Sequence, residues 1–267
     1  TRRSSDLDKT ATEAHTVDCA FAQLNIQRNE GEAMPIDFTP YFRKYESLLK
    51  AADAVFERMK EEYPNCVACK PGCADCCKAL FDLTFIEALY INHRFNQRFK
   101  TRLEEKSKLI EKANRADREV YRIKKRAYKE LEEGKPEEEI LADLAKERVP
   151  CPLLNAKEQC DLYEYRPITC RFYGIPTAIG GQGHTCGISK FVKGEQYPTV
   201  NLDIIHKQLY EISAELVQEL RSRHIKMAEL LVPLSMAMLT VYDDEYLGIT
   251  NTEESDPNIQ KKGEGDG

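Results

Sequence analysis

Apolar residues recur at helical spacing along several parts of the chain, and this periodicity predicts a mainly α-helical fold. One helix is predicted from Thr39 and Pro40 to the Tyr63–Pro64 pair, which ends the pattern. Another begins near Leu202, carries one apolar stripe and continues until Pro233 breaks or kinks it. No run of strictly alternating apolar and polar residues appears. The sequence therefore predicts little or no β-structure, with helices around an irregular region held by cysteines.

Residues 84–133 contain neither glycine nor proline, although a single helix of that length would extend about 75 Å. Such a helix is too long for a compact domain of this size, so we expect a break. Capping-box patterns at residues 84–87 and 101–104 predict two antiparallel helices with a turn near residues 96–101. The acidic residues that follow Pro136 predict a short third helix.

Composition divides the chain into three parts. Residues 1–37 are polar and lack a sustained apolar period, which predicts an arm. We expect residues 38–250 to form a single α-helical domain, within which the charged helical pair at residues 84–134 is an insertion. Residues 251–267 are rich in charged residues and glycine, and they predict a disordered tail.

The overall charge argues against two classes of partner. The chain has 39 Lys and Arg residues against 45 Asp and Glu residues, a formal net charge of −6. No global positive field therefore attracts it to nucleic acid or to an anionic membrane. Its longest strongly apolar stretch, residues 230–242, is shorter than the roughly 20 residues that cross a bilayer. No apolar signal core occurs near the N-terminus, so we expect a cytoplasmic protein.

Basic residues are interleaved with Tyr121 and Tyr128 in the charged helix predicted within residues 100–135. Acidic neighbours at i,i+4 spacing neutralise part of this charge, so we interpret the stretch as a solvated helix face rather than a nucleic-acid site. An alternative function is a partner-docking module that contacts another protein through this helix, with a purely structural metal.

Ten cysteines need a chemical explanation in a protein expected to be cytoplasmic, because cytosolic thiols are kept reduced. Five of them fall within residues 66–77 and form two Cys-x2-Cys loops, which bring thiolates together around a metal ion or an iron–sulfur cluster. A second, looser group occupies residues 151–186. The two groups predict that the fold brings distant thiols to one site. The first group also has the spacing of the radical S-adenosylmethionine motif, but the charged helical sequence after it argues against that fold.

The combined pattern resembles a known family. Cys-x2-Cys-Cys at residues 73–77 is followed by Cys-Pro at residues 151–152, by Cys-x2-Tyr-Glu-x-Arg-Pro-x2-Cys-Arg at residues 160–171 and by a last cysteine. This order resembles the YkgJ-type cysteine-cluster family of zinc- or iron-chelating domains. The resemblance implies eight metal ligands: Cys69, Cys73, Cys76, Cys77, Cys151, Cys160, Cys170 and Cys186. One extra residue between Cys69 and Cys73 makes Cys66 an alternative first ligand.

The metal and its chemistry stay open at this level. Cys-x2-Cys loops suit Zn²⁺, whereas dispersed single cysteines suit an iron–sulfur cluster, and we favour a cluster of the 4Fe–4S type. We expect Arg166 and Arg171 to offset the negative charge of the thiolates, with a surface pair between Arg166 and Glu164 as the alternative for Arg166. No catalytic residue is assigned. The cysteine segment is also similar to that of flagellin lysine N-methylase, which makes an S-adenosylmethionine-dependent protein lysine N-methylase an alternative function.

The one glycine-rich segment, residues 180–187, contains the last cysteine, Cys186, near its end. Because glycine allows a close approach of the backbone, we expect this loop to enclose the cysteine site, with a plain turn or a cosubstrate pocket as alternatives. His184 within it is a further candidate ligand.

Overall fold

The computed structural model describes residues 37–70 and 72–249. The predicted tail and, apart from Asp37, the predicted arm lie outside these residues. The described part is mainly α, as predicted, with eight helices: α1 (Thr39–Glu62), α2 (Phe85–Arg98), α3 (Leu103–Glu132), α4 (Glu137–Leu144), α5 (Ile168–Phe172), α6 (Leu202–Glu219), α7 (Leu234–Leu239) and α8 (Asp244–Leu247). None of the helices in this part is long and apolar enough to cross a membrane.

The helix α1 is amphipathic, and its apolar face anchors it in the core. The helix ends at Glu62, directly before Tyr63 and Pro64, as predicted. Buried residues recur along it at intervals of three, four or seven positions, as expected for one helix face: Phe42, Tyr45, Leu49, Ala52 and Met59. They share one apolar cluster with residues of α2, α5 and α6. This cluster positions α5, which carries one of the predicted metal ligands.

The long charged stretch is broken where the sequence predicts a break. The helix α2 ends at Arg98 and α3 begins at Leu103. The predicted cap at Thr101 is wrong, because Arg102 occupies the N-cap position of α3 and makes no side-chain cap hydrogen bond. One apolar cluster combines the buried faces of α2 and α3 with the short helix α7, so α7 packs against both long helices.

The helix α6 begins at Leu202, as predicted, and ends at Glu219, well before Pro233. The expectation that Pro233 breaks or kinks this helix is therefore wrong. Pro233 ends the strand β5 (Leu231–Pro233) and takes the N-cap position of α7. A proline suits that position because a helix N-terminus does not need its N–H as a donor.

The β-structure consists of short strands in two small sheets. The strand β1 (Asp82–Thr84) pairs antiparallel with β5, with Leu83 opposite Val232. The second sheet has the order β3-β2-β4, formed by β2 (Thr177–Ile179), β3 (Gln182–His184) and β4 (Val200–Asn201). Within it β2 is antiparallel to β3 and parallel to β4.

Glu87 links three helices through a buried carboxylate. It lies in the first turn of α2 and is 2% exposed. The carboxylate accepts hydrogen bonds from the Thr84 N–H and hydroxyl, from the Tyr45 hydroxyl of α1 at 3.2 Å, and from the Ile168 N–H at 3.1 Å. Burial raises the pKa of Glu87, while these donors oppose that rise. Since Ile168 begins α5, Glu87 fixes the helix that carries Cys170.

Replacing Glu87 should destabilise the fold strongly. In Glu87→Ala the buried donors of Thr84, Tyr45 and Ile168 lose their acceptor, so we expect the free energy of unfolding to fall by about 2–4 kcal/mol. Glu87→Gln keeps the volume and one acceptor oxygen, and its loss should be smaller. Urea unfolding at matched metal content measures both. Equal stability of Glu87→Ala and the unmodified protein would contradict the linking role.

Candidate metal centre

The first cysteine group lies in a series of tight turns after α1. The Cys66 N–H donates to the Tyr63 carbonyl, and the Cys73 N–H donates to the Lys70 carbonyl, both at 2.9 Å. A single 3-10 turn, Cys76–Lys78, follows. The chain therefore reverses direction repeatedly over a few residues, as predicted for a segment that surrounds a metal rather than a helix that passes beside it.

Backbone hydrogen bonds join the second cysteine group to the first. The Cys151 N–H donates to the Cys77 carbonyl at 2.7 Å, and the Val149 N–H donates to the Lys78 carbonyl at 3.0 Å. A bridge between Leu154 and Cys160 folds the next cysteine back onto the same loop. These contacts bring the two groups together, as the sequence analysis expected.

One cavity of about 500 Å³ lies between the two groups. Seven of the predicted ligands line it: Cys69, Cys73, Cys76, Cys77, Cys151, Cys160 and Cys170. The eighth, Cys186, lines a small adjoining cavity together with Cys69, Cys73 and Cys76. Cys66 lines neither of these two cavities. This placement favours Cys69 over Cys66 as the first member of the set.

The thiols surround this space without converging on one point. In the part of the chain that the structure describes, no three His, Cys, Asp or Glu side chains are grouped closely enough to hold a single metal ion. The nine cysteines described there are free thiols. Their chemistry fits a thiophilic group, because thiolate is the characteristic ligand of zinc and of iron–sulfur clusters.

Most of these thiols resist ionisation without a cation. Burial, together with the charges of neighbouring thiolates, raises the pKa of Cys69 to about 11, of Cys151 to about 12 and of Cys160 to about 11. Cys76 is the opposite case, because hydrogen bonds from Cys170 and Cys77 lower its pKa. A bound cation favours the thiolate form at every ligand, so metal binding at this site releases protons.

Arg166 and Arg171 lie at the cavity, and they act in different ways. The Arg166 guanidinium lies 4.1 Å from the Tyr163 ring centre and 3.4 Å from the Asp53 carboxylate, so its acidic partner is Asp53 rather than Glu164. Its positive charge opposes the rise in the pKa values of Cys69 and Cys160 and contributes to the lowered pKa of Cys76, which is the effect of a group that offsets thiolate charge.

The Arg171 side chain is buried, and its guanidinium forms hydrogen bonds and an ion pair within the protein. It donates to the carbonyls of Arg166 at 3.0 Å and of Glu164 at 2.6 Å, and it forms an ion pair with Asp53. These bonds hold the backbone of residues 164–166 against α1. The contribution of Arg171 is therefore to position Arg166.

Asp75 contacts the site, although the sequence did not predict a role for it there. Its carboxylate accepts hydrogen bonds from the Tyr173 hydroxyl at 3.1 Å and from the Cys186 thiol at 3.4 Å. Asp75 thereby holds the last cysteine against the first group. Its position within the cysteine run was the available signal, but no local pattern identifies Tyr173 and Cys186 as its partners.

The glycine-rich segment does not enclose the site, which corrects the expectation from the sequence. Gly180 and Gly181, at φ values of +55° and +77°, form the two-residue turn of the β2–β3 hairpin. The strand β3 is exposed, and His184 lines neither cavity. The segment is a plain turn that leads to Cys186.

A methyl group at Gly174 should disturb the cavity specifically. Gly174 has φ +107°, and an added Cβ would lie 3.3 Å from the Cβ of Cys69. Gly174→Ala should therefore displace Cys69 and weaken metal binding by about 10-fold, in the range for residues that orient metal ligands. Gly194→Ala is the matched control, because Gly194 has φ +97° and no atom within 4 Å of an added Cβ. Competition with a chromophoric chelator measures both affinities, and equal values for the two variants would contradict the contact.

Comparison with known proteins agrees with this geometry. Residues 68–187 match the CxxCxxCC family, whose description is "putative zinc- or iron-chelating domain". The matched range includes every cysteine that lines the two cavities and excludes Cys66. No curated protein and no solved structure matches the chain, so the similarity to flagellin lysine N-methylase stays a prediction. The match over residues 68–187 confirms the resemblance to the cysteine-cluster family that the sequence predicted.

Proposed function

We propose that this protein holds an iron–sulfur cluster of the 4Fe–4S type in its cysteine-lined cavity, with Zn²⁺ as the alternative. The observation that carries the proposal is the arrangement of seven thiols, from two distant segments, around one cavity of about 500 Å³. A lone zinc ion needs four donors near one point, about 2.3 Å from the metal. Cluster thiolates bind separate iron atoms, so they are spaced more widely around the group.

The protein's own residues prepare this cavity in three ways. Turns and backbone hydrogen bonds bring the thiols of the two segments together. Arg166 supplies positive charge beside Cys76, which offsets part of the charge of several thiolates. Arg171 and Asp53 hold Arg166 in place. A bound iron–sulfur cluster would supply one-electron chemistry, whose potential depends on such charges and on exposure to solvent.

The metal would also act as a structural link. It would join the loop after α1, the loop at residues 151–160 and the helix α5, which are otherwise connected mainly through backbone contacts and apolar packing. Protein lysine N-methylation and the docking of a partner through residues 100–135 stay predictions.

The bound metal can be identified directly. After anaerobic purification, iron, zinc and acid-labile sulfide are measured per chain, together with the visible absorption spectrum. Iron with sulfide and a broad visible absorption that dithionite bleaches would support the cluster. Zinc without colour would support the alternative. A folded protein with neither metal would contradict both.

The choice of ligands is tested by three serine variants. Cys76→Ser and Cys170→Ser should each lose most of the metal, by about 10-fold in affinity or more, because each opens the same cavity from a different chain segment. Cys66→Ser is the control: the residue lies in the same loop as Cys69, but it lines neither cavity, so full metal content is expected. Elemental analysis measures all three. Full metal content in Cys170→Ser, or loss in Cys66→Ser, would contradict the assignment.

A further inference from the structure

The cysteine-lined cavity has a second wall of a different chemistry. Apolar side chains line part of the same cavity as the thiols, and we call this part the apolar wall. It consists of Leu80, Phe81, Ala116, Val120, Val149 and Leu234. These side chains carry no atom that coordinates a metal or bonds to sulfide. A metal group held by the cysteines therefore forms no bond with the part of these side chains that lines the cavity.

Regular structure and buried packing hold the apolar wall in place. Ala116 and Val120 lie on the inner face of α3 and form one buried cluster with Ile123 and Val149. Val149 is fixed by its hydrogen bond to the Lys78 carbonyl. A wall built from such elements is preformed, which is typical of small-molecule sites.

At the end of the wall beside α7, the only hydroxyl donor of Ser235 already has a partner within the protein. Ser235 is buried at the start of α7, and its hydroxyl donates to the Asp117 carboxylate of α3 at 3.1 Å. This bond fastens α7 to α3 and occupies the one hydroxyl hydrogen of Ser235. A molecule against this wall is therefore recognised by apolar contact.

The volume of the cavity is consistent with a ligand in addition to the metal. About 500 Å³ lies within the range of roughly 300–1,000 Å³ that is usual for small-molecule sites. Apolar cavities of only about 150 Å³ already bind benzene. The cavity as a whole, which the thiols and the apolar wall both line, is therefore of a size that is usual for sites of organic molecules.

We propose that the apolar wall binds a small organic molecule through a hydrocarbon portion, of about the size of one aromatic ring, next to the metal centre. Its position beside the metal rests on the proposed function, whereas binding to the wall itself does not. The inner face of α3 then has a specific role, because Ala116 and Val120 shape the space that the hydrocarbon portion occupies.

Fluorobenzene is a suitable probe, because it is a single apolar ring that ¹⁹F NMR detects directly. We expect saturable binding to the full-length, metal-loaded protein, with nuclear Overhauser effects to the methyl groups of Val120 and Val149. Val120→Phe fills the cavity and should weaken binding by about 10-fold or more. Tyr121→Phe is the control, because Tyr121 is the next residue on α3 and is 64% exposed. Metal content and the unfolding temperature are measured on every sample.

The outcomes separate the two proposals. No fluorobenzene binding by a metal-loaded protein would overturn this inference and leave the proposed function intact. Binding without Overhauser effects to Val120 and Val149 would also overturn it, since the probe would then occupy another surface. The Overhauser effects are measured on the unmodified protein, so the test stands even if Val120→Phe fails to fold. Binding at this wall by a protein that takes up no metal would support the inference while contradicting the proposed function.

Discussion

The antiparallel contact between residues 77–79 and residues 148–151 is the connection on which the rest of the site depends. Its hydrogen bonds join two segments that α2, α3 and α4 separate in sequence. The contact brings Cys151 beside Cys77 and orients Val149 toward the same cavity. Without it the thiols of the second group would not face those of the first. Backbone hydrogen bonds between the two segments therefore contribute directly to the assembly of the cavity.

Electrostatics opposes the ionisation of the thiols that this contact brings together. Buried thiols close to one another resist ionisation, which is why burial raises the pKa values of Cys69, Cys151 and Cys160. Arg166 reduces that cost because its guanidinium is held near them by Tyr163 and Asp53. The charge of Arg166 therefore makes the site electrostatically suited to hold thiolate ligands of a metal.

The helix α3 has one face exposed to solvent and one face at the cysteine-lined cavity. Its outer face carries exposed Tyr121 and Tyr128 among basic and acidic residues, and its inner face carries Ala116 and Val120 at the cavity. The stretch predicted as an insertion therefore forms part of the cavity wall in this chain. The helix α3 therefore contributes side chains to the cavity although it carries none of the predicted metal ligands.

The sequence by itself determined the features that depend on neighbouring residues. Helical periodicity, the break at residues 99–102, the start of α6 at Leu202 and the cysteine-cluster motif could all be read locally, because each depends on spacing along the chain. Only the tertiary structure decided that Cys69 lines the cavity and Cys66 does not, and that Asp75 contacts Cys186. Only the tertiary structure showed the apolar wall opposite the thiols. These features arise from contacts between segments far apart in sequence, and a local pattern carries no information about which distant surfaces will face each other.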